Sequence, residues 1–110
     1  MDVSAYAECI AACHTCSTSC ENCMKENLQM KDVEMMKNCI RLCQDCADIC
    51  RMCATFMARA SRFAKELCRL CAEICDACAE ECASHDHAHC QRCAADCRAC
   101  AEACREMAGS

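Results

Sequence analysis

Residues 39–53 read CIRLCQDCADICRMC, which places cysteines at positions 39, 43, 46, 50 and 53. The steps between these cysteines alternate between four and three residues, and an α-helix presents residues with this spacing on one face. The same alternation occurs in three further segments of the chain. Together the four cysteine ladders comprise Cys9, Cys13, Cys16, Cys20, Cys23, Cys39, Cys43, Cys46, Cys50, Cys53, Cys68, Cys71, Cys75, Cys78, Cys82, Cys90, Cys93, Cys97, Cys100 and Cys104. The pattern therefore predicts four helices, each with a stripe of five thiols.

Composition supports a wholly helical protein. The chain has 110 residues, no proline, a single glycine at position 109 and 3% aromatic residues. Residues that break helices are scarce, and this length is typical of one domain. We expect residues 1–110 to form a single all-α domain, an antiparallel up-down-up-down four-helix bundle with a cysteine-lined core.

The polar residues between the ladders predict where the helices begin and end. The first helix is expected over residues 4–27, and Asp32 is expected to cap a second helix that ends near Met57. Ser61 is expected to cap the third helix, which ends near Ser84. A polar loop over residues 84–87 then leads into a fourth helix that ends near position 107.

Antiparallel packing would bring the ladders into register. Cys9 comes level with Cys53 and Cys23 with Cys39, and the third and fourth ladders align in the same way. We therefore expect five layers of four cysteines, stacked over roughly 20 Å. The connection over residues 58–61 contains no glycine or proline, so a dimer of swapped hairpins built on one continuous helix remains an alternative.

Charge and hydropathy exclude several partners. The net charge of −5 argues against nucleic acid. No apolar run approaches the roughly 20 residues that a membrane span needs. The N-terminal residues MDVSAYAE contain neither a basic region nor an apolar stretch, unlike a secretory signal. We therefore expect a cytoplasmic protein whose thiols stay reduced.

Several roles for so many thiols are unfavourable. A core of cysteine without leucine would pack poorly. Thiols three or four residues apart on a helix project nearly in parallel, so disulfides would distort the helix. Redox pairs of the C-x-x-C type depend on a helix N-terminus, whereas nearly all of these lie in mid-helix. The sequence thus favours a metal-binding protein over an enzyme.

Charge balance identifies the metal. A zinc ion with four thiolates carries a charge of −2, so five such layers would bury a charge of about −10 with no compensating cation. One Cu(I) per thiolate leaves the core neutral, and soft thiolates select Cu(I). The twenty ladder cysteines are the predicted ligands of many Cu(I) ions. A zinc or mixed-metal thiolate buffer remains the alternative, and an iron–sulfur protein is disfavoured because its usual motif is absent.

One end of the predicted bundle gathers side chains suited to copper uptake. Thioethers and imidazoles bind Cu(I) more weakly than thiolates do, so they can collect an ion and pass it inward. The predicted uptake residues are His85, His87, His89, Met35 and Met24. The opposite end is expected to carry an apolar plug formed by Phe56, Met57, Phe63 and Met107.

The four ladders of C-x-x-x-C and C-x-x-C steps resemble the bacterial copper storage proteins, over essentially the whole chain. The resemblance implies Cu(I) storage by core thiolates, a methionine- or histidine-lined entrance and frequently a homotetramer. We expect storage without catalytic turnover, and the N-terminus is similar to the cytosolic branch of the family. Exposed Leu70 is a candidate for an oligomer face.

Overall fold

Four long helices make up the protein in the computed structural model, which describes residues 6–109. The helices are α1 (Ala7–Leu28), α2 (Lys37–Ala58), α3 (Ala64–Ala83) and α4 (Ala88–Gly109). A short 3-10 helix, Val33–Met36, precedes α2. These bounds confirm the four predicted helices, although the expected start of α1 at Ser4 lies outside the described residues.

Contacts between sulfurs define the direction of each helix. At the ends of the bundle, a residue late in one helix meets a residue early in its neighbour. The Sγ–Sγ distances are 3.9 Å for Cys23–Cys39, 3.5 Å for Cys39–Cys82, 3.6 Å for Cys53–Cys68 and 3.6 Å for Cys9–Cys104. Because α1 is thus antiparallel to α2 and α4, and α2 to α3, the helices alternate up and down around the bundle.

Small residues beside the ladders allow the helices to approach. Ala47 on α2, Ala79 on α3, and Ala94 and Ala101 on α4 are all buried. Larger aliphatic side chains such as Ile49 cover the outer part of these seams. The alanines and isoleucines close the wall, while the thiols fill the interior that a conventional bundle fills with leucine.

The connection before α2 differs from the prediction. Asp32 does not cap α2, because it stands ahead of the 3-10 helix and its side chain makes no capping hydrogen bond. Its carbonyl oxygen instead accepts a hydrogen bond from the amide of Met35 at 2.9 Å. Met36, buried to 1% exposure, anchors this turn on the core, so burial of a methionine rather than a carboxylate cap sets where α2 begins.

The turn between α2 and α3 is a Schellman motif formed without glycine. Ala60 has a φ of +50°, its amide donates to the carbonyl of Met57, and the amide of Ser61 donates to the carbonyl of Phe56, each at 3.0 Å. This pattern of hydrogen bonds ends a helix at a left-handed residue. The hydroxyl oxygen of Ser61 accepts a hydrogen bond from the backbone amide of Phe63 at 3.1 Å. The turn ends α2 at Ala58, so the chain folds back as a hairpin and not as a continuous helix.

Candidate metal centre

All twenty ladder cysteines lie inside the bundle as free thiols. Their relative exposure is 0%, except for Cys9 at 2%. The thiols face the bundle axis because the three-and-four spacing keeps each ladder on the inward face of its helix. The cysteine-lined core predicted from the sequence is thereby confirmed.

The sulfurs form groups of four that join neighbouring layers of the core. Each of five groups brings four Sγ atoms within 4.8 Å of one another. These groups are Cys13/Cys71/Cys100/Cys104, Cys16/Cys46/Cys50/Cys75, Cys16/Cys20/Cys46/Cys97, Cys20/Cys78/Cys93/Cys97 and Cys23/Cys39/Cys43/Cys82. Each group takes a C-x-x-x-C pair from one helix and single cysteines from two others.

These contacts agree with the predicted layers of one cysteine per helix. In the middle layer, Cys16 Sγ lies 3.6 Å from Cys46 Sγ and from Cys97 Sγ, and Cys46 Sγ lies 3.6 Å from Cys75 Sγ. Each four-sulfur group adds one cysteine of the next layer, and Cys16, Cys20, Cys46 and Cys97 each belong to two of the five groups. Contacts of 3.7 Å for Cys50–Cys71 and 3.8 Å for Cys43–Cys78 connect the two remaining groups, so one thiolate can bridge two metal ions.

Distances within the C-x-x-x-C pairs indicate the coordination that the core favours. The Sγ–Sγ distance is 3.9 Å in the Cys71–Cys75, Cys78–Cys82 and Cys93–Cys97 pairs. A metal with bonds of about 2.3 Å to both sulfurs would make an S–metal–S angle of roughly 120° at this separation. That angle fits a third sulfur from a neighbouring helix, whereas linear coordination requires the pair to separate to roughly 4.6 Å.

The histidine end of the bundle, where α1 and α3 finish and α2 and α4 begin, is closed by Asn27. This side chain is fully buried. Its Nδ2 donates to Cys39 Sγ at 3.4 Å and to Cys23 Sγ at 3.6 Å. Its Oδ1 accepts from His89 Nε2 at 2.7 Å and from the Cys90 thiol at 3.7 Å. One amide therefore joins three terminal thiols to a histidine, and sequence reasoning missed it.

Hydrogen bonds fix the tautomers of two of the predicted uptake histidines. His89 must donate from Nε2 because the amide oxygen of Asn27 can only accept, and His85 donates from Nε2 to Glu81 Oε2 at 2.8 Å. In a neutral ring this leaves the Nδ1 lone pair free to bind a metal ion. His87 is exposed and stacks on His89, with ring centroids 5.6 Å apart. The structure thus brings His87 and His89 together above Asn27.

The methionines at this end divide between the core and the surface. Met24 is half-buried and packs against the core, as does Met30. Met35 is 71% exposed, whereas its neighbour Met36 is buried. The two predicted uptake methionines therefore lie at different depths, Met35 in solvent and Met24 beside the sulfurs.

The opposite end is closed mainly by Tyr6 and Met57. Tyr6 is 2% exposed and Met57 is fully buried, with its Sδ 3.7 Å from Cys68 Sγ. Met107 is half-buried against the core. Phe63, at 48% exposure, does not belong to the expected plug, because it stands at the N-cap of α3 and packs under the guanidinium of Arg62.

Extending the first two ladders by one more step locates residues that close the core, of which Tyr6 and Asn27 were missed by sequence reasoning. Three residues before Cys9 is Tyr6, four after Cys23 is Asn27, three before Cys39 is Met36 and four after Cys53 is Met57. All four are buried. The helical period thus locates the residues that close the ends of the core as well as those that line it. The amide of Asn27 closes one end and the phenol of Tyr6 the other.

Burial keeps the Cys90 thiol at the histidine end protonated. Burial raises the pKa of the Cys90 thiol to about 12, well above its ordinary value of 9.0. At the other end, burial raises the pKa of Tyr6. A metal that binds such thiols must therefore displace protons.

Comparisons with known proteins agree with this geometry. Residues 2–109 match the family model described as copper storage protein. The Cu(I)-bound copper storage protein BsCsp3, from Bacillus subtilis, has a TM-score of 0.91 and 47% identity, over 94% of this chain and 97% of that one. No curated protein sequence matches the chain.

Two structures from Streptomyces lividans are also similar. The copper storage protein Ccsp loaded with 10 copper equivalents has a TM-score of 0.93 and 34% identity, over 99% of this chain and 91% of that one. A cytosolic copper storage protein with five coppers has a TM-score of 0.94 and 36% identity, over 99% of this chain and 96% of that one. With a family model that spans nearly the whole sequence and the same cysteine-filled bundle, the chain belongs to the copper storage protein family.

Proposed function

We propose that this protein stores and sequesters many Cu(I) ions by binding them to the twenty ladder thiolates, without catalytic turnover. Family membership confirms the prediction of copper storage, and nothing supports the zinc alternative. The observation that carries the ligand assignment is the set of buried four-sulfur groups, three of which share members while close Sγ–Sγ contacts join the other two. Because sulfurs are shared or in contact between neighbouring groups, a singly charged ion per thiolate satisfies both geometry and charge.

Anaerobic titration of the reduced protein with Cu(I) tests this function. We expect binding to saturate above ten equivalents, since each thiolate can bridge two ions. In a parallel titration with Zn(II), binding should be weaker and incomplete. Saturation at a few Cu(I) equivalents, or a plateau near five tightly bound Zn(II), would contradict Cu(I) storage.

Copper uptake is proposed to run through the histidine end. The support is the stack of His87 on His89 above Asn27, with Met24 and exposed Met35 nearby. Replacing His85, His87 and His89 together by alanine should slow uptake, measured by stopped-flow absorbance, while the final capacity stays unchanged. His14→Ala, an exposed histidine in the middle of α1, is the matched control. Equal rates for the triple variant and the control would contradict the uptake role.

Location and assembly are proposed from the resemblance. One Streptomyces relative is described as cytosolic, and we propose the cytoplasm for this chain. None of the helices in residues 6–109 combines the length and the apolar character that crossing a membrane requires. A homotetramer is proposed, with Leu70, 44% exposed on α3, in an interface. Sedimentation of the wild type and of Leu70→Glu tests it, because the variant should shift the assembly toward monomer.

A further inference from the structure

A cavity of about 270 Å³ opens between α1 and α4, roughly one helical turn from the histidine end. Its lining consists of Thr18, Ser19, Asn22, His89, Arg92 and Cys93. Three other surface cavities, of about 290 to 470 Å³, have no cysteine in their linings. The cavity between α1 and α4, which we call the lateral cavity, therefore differs from these in having a ladder cysteine in its lining.

The lateral cavity is suited to an anion. Its lining includes the Thr18 hydroxyl, the Asn22 amide and the Arg92 guanidinium, which can donate hydrogen bonds to a ligand. Within residues 6–109 no carboxylate forms an ion pair with Arg92. Asp96, one turn further along α4, accepts a hydrogen bond from Ser19 instead. The charge of the Arg92 guanidinium thus remains available to a ligand.

The contrast with a second cavity on the same seam supports this choice of ligand. That cavity also lies between α1 and α4, but nearer the opposite end of the bundle, which Tyr6 closes. Three of its lining residues are Glu8, Glu102 and Glu106. Acidic side chains there repel anions, in keeping with the net charge of −5. The basic lateral cavity is thus a local exception on an acidic molecule.

The metal core lies directly behind the lateral cavity, where Cys93 is fully buried. Cys93 Sγ lies 3.7 Å from Cys20 Sγ, 3.8 Å from Cys43 Sγ and 3.9 Å from Cys97 Sγ. It is also a member of the four-sulfur group with Cys20, Cys78 and Cys97. Because all the ladder thiols are buried, a protein-sized acceptor cannot reach stored ions without opening the bundle. A small molecule in this cavity needs only side-chain movements, which occur within nanoseconds at exposed residues.

We propose that the lateral cavity binds a small thiol that carries a carboxylate, and that this thiol withdraws Cu(I) from the core; the proposal rests on the proposed storage function. The carboxylate pairs with Arg92 and the thiol approaches the Cu(I) held by Cys93. A bond from Cu(I) to the incoming sulfur forms and the bond to Cys93 Sγ breaks. The proton of the incoming thiol passes to the Cys93 thiolate, and no electron is transferred.

Copper release from the loaded full-length protein tests the proposal. Protein loaded anaerobically to its measured capacity is mixed with bathocuproine disulfonate, a coloured Cu(I) acceptor, with or without a small thiol. The probes are 3-mercaptopropionate, which carries a carboxylate, and neutral 2-mercaptoethanol, compared at equal thiolate concentration. The carboxylate thiol should accelerate release about tenfold more than the neutral one, as expected for electrostatic attraction to a focused charge.

Arg92→Glu should abolish this preference, whereas Arg98→Glu should retain it. Arg98 is an exposed arginine on the same helix that does not line the lateral cavity, so both variants change the net charge equally. Thr18→Phe, which fills the cavity from its exposed rim, should slow release by both thiols. Copper capacity should remain at the wild-type value in all three variants, which separates this test from the storage function.

Each outcome has one meaning. If the wild type fails to load, the storage function is wrong. If it loads normally but Arg92→Glu and Arg98→Glu keep the same preference, the lateral cavity is not the site. If Thr18→Phe releases copper as fast as the wild type with both thiols, release does not pass through the cavity.

Discussion

The side-chain amide of Asn27 has four hydrogen-bond partners in the core. It binds Cys23, Cys39, Cys90 and His89 while fully buried. A buried amide of this kind is stabilising only while its partners are in place, and each unmatched partner costs free energy. The histidine end therefore depends on a residue that binds no metal in our assignment.

Replacing Asn27 by alanine should destabilise the metal-free protein by about 1–3 kcal/mol, because His89 and the terminal thiols lose a buried partner. Urea denaturation in reductant measures this change. Asn38→Ala, at an exposed asparagine on α2, should change stability by no more than about 0.5 kcal/mol. Equal stabilities for the two variants would show that the Asn27 network contributes nothing.

Ionisation of Cys90 should make the metal-free protein sensitive to alkaline pH. Its folded pKa of about 12 exceeds the ordinary value of 9.0, so its contribution to stability is complete below pH 9 and is lost as the pH rises toward 12. Thermal unfolding at pH 7, 9 and 11 should show a steeper fall in Tm for the wild type than for Cys90→Ala. Parallel curves of Tm against pH for the two proteins would contradict the raised pKa of Cys90. Copper loading should flatten the wild-type curve, because no thiol proton remains to be lost.

At the scale of an element, the turn after α2 decides whether the chain forms a hairpin. The Schellman hydrogen bonds require Ala60 to hold a φ of +50°. For a residue with a Cβ atom, this left-handed conformation costs roughly 1–2 kcal/mol. The hairpin is therefore retained at a local conformational cost, which the packing of α2 against α3 offsets.

Ala60→Gly should stabilise the protein by about 0.5–1 kcal/mol, because glycine adopts a positive φ without the Cβ clash. Denaturant unfolding under reducing conditions provides the measurement. The matched control is Ala58→Gly, which places the same substitution at the last residue of α2 and should destabilise by about 0.5–1 kcal/mol. A loss of stability in both variants would mean that the turn is not held in the left-handed conformation.

At the scale of the whole molecule, the protein stacks its thiols along an elongated body measuring 47 × 18 × 17 Å. Sulfurs of neighbouring helices lie 3.5–3.9 Å apart along its length. Because ions bound in such a core share ligands, charge neutrality applies to the entire column and not to each site. This is the physical reason to expect a singly charged cation.

Proton release during loading measures that neutrality directly. Since burial keeps thiols such as Cys90 protonated, each Cu(I) should displace about one proton. Titration in weakly buffered solution near pH 7, followed with an indicator dye, counts them. About four protons per ion would instead indicate zinc-like sites with four thiolates each, and no release would mean that the thiols were already ionised.

The sequence by itself determined the helices, their inward faces and the metal-binding chemistry, because the three-and-four spacing of cysteine is a local property with few alternatives. Continued by one step, the same period also locates Tyr6 and Asn27, so these residues were accessible to sequence reasoning although it missed them. The start of α2 was not accessible to sequence reasoning in this way, because burial of Met36 displaced the cap expected from Asp32.

The antiparallel register of the ladders also predicted the layers of thiols, which the contacts between sulfurs confirm. Only the tertiary structure decided which thiols of successive layers approach each other and where the core can be approached. The contact of Asn27 with His89 and the lateral cavity at Cys93 likewise join residues more than 60 positions apart in the chain. Such juxtapositions arise from packing between helices, on which the periodicity of a single helix carries no information.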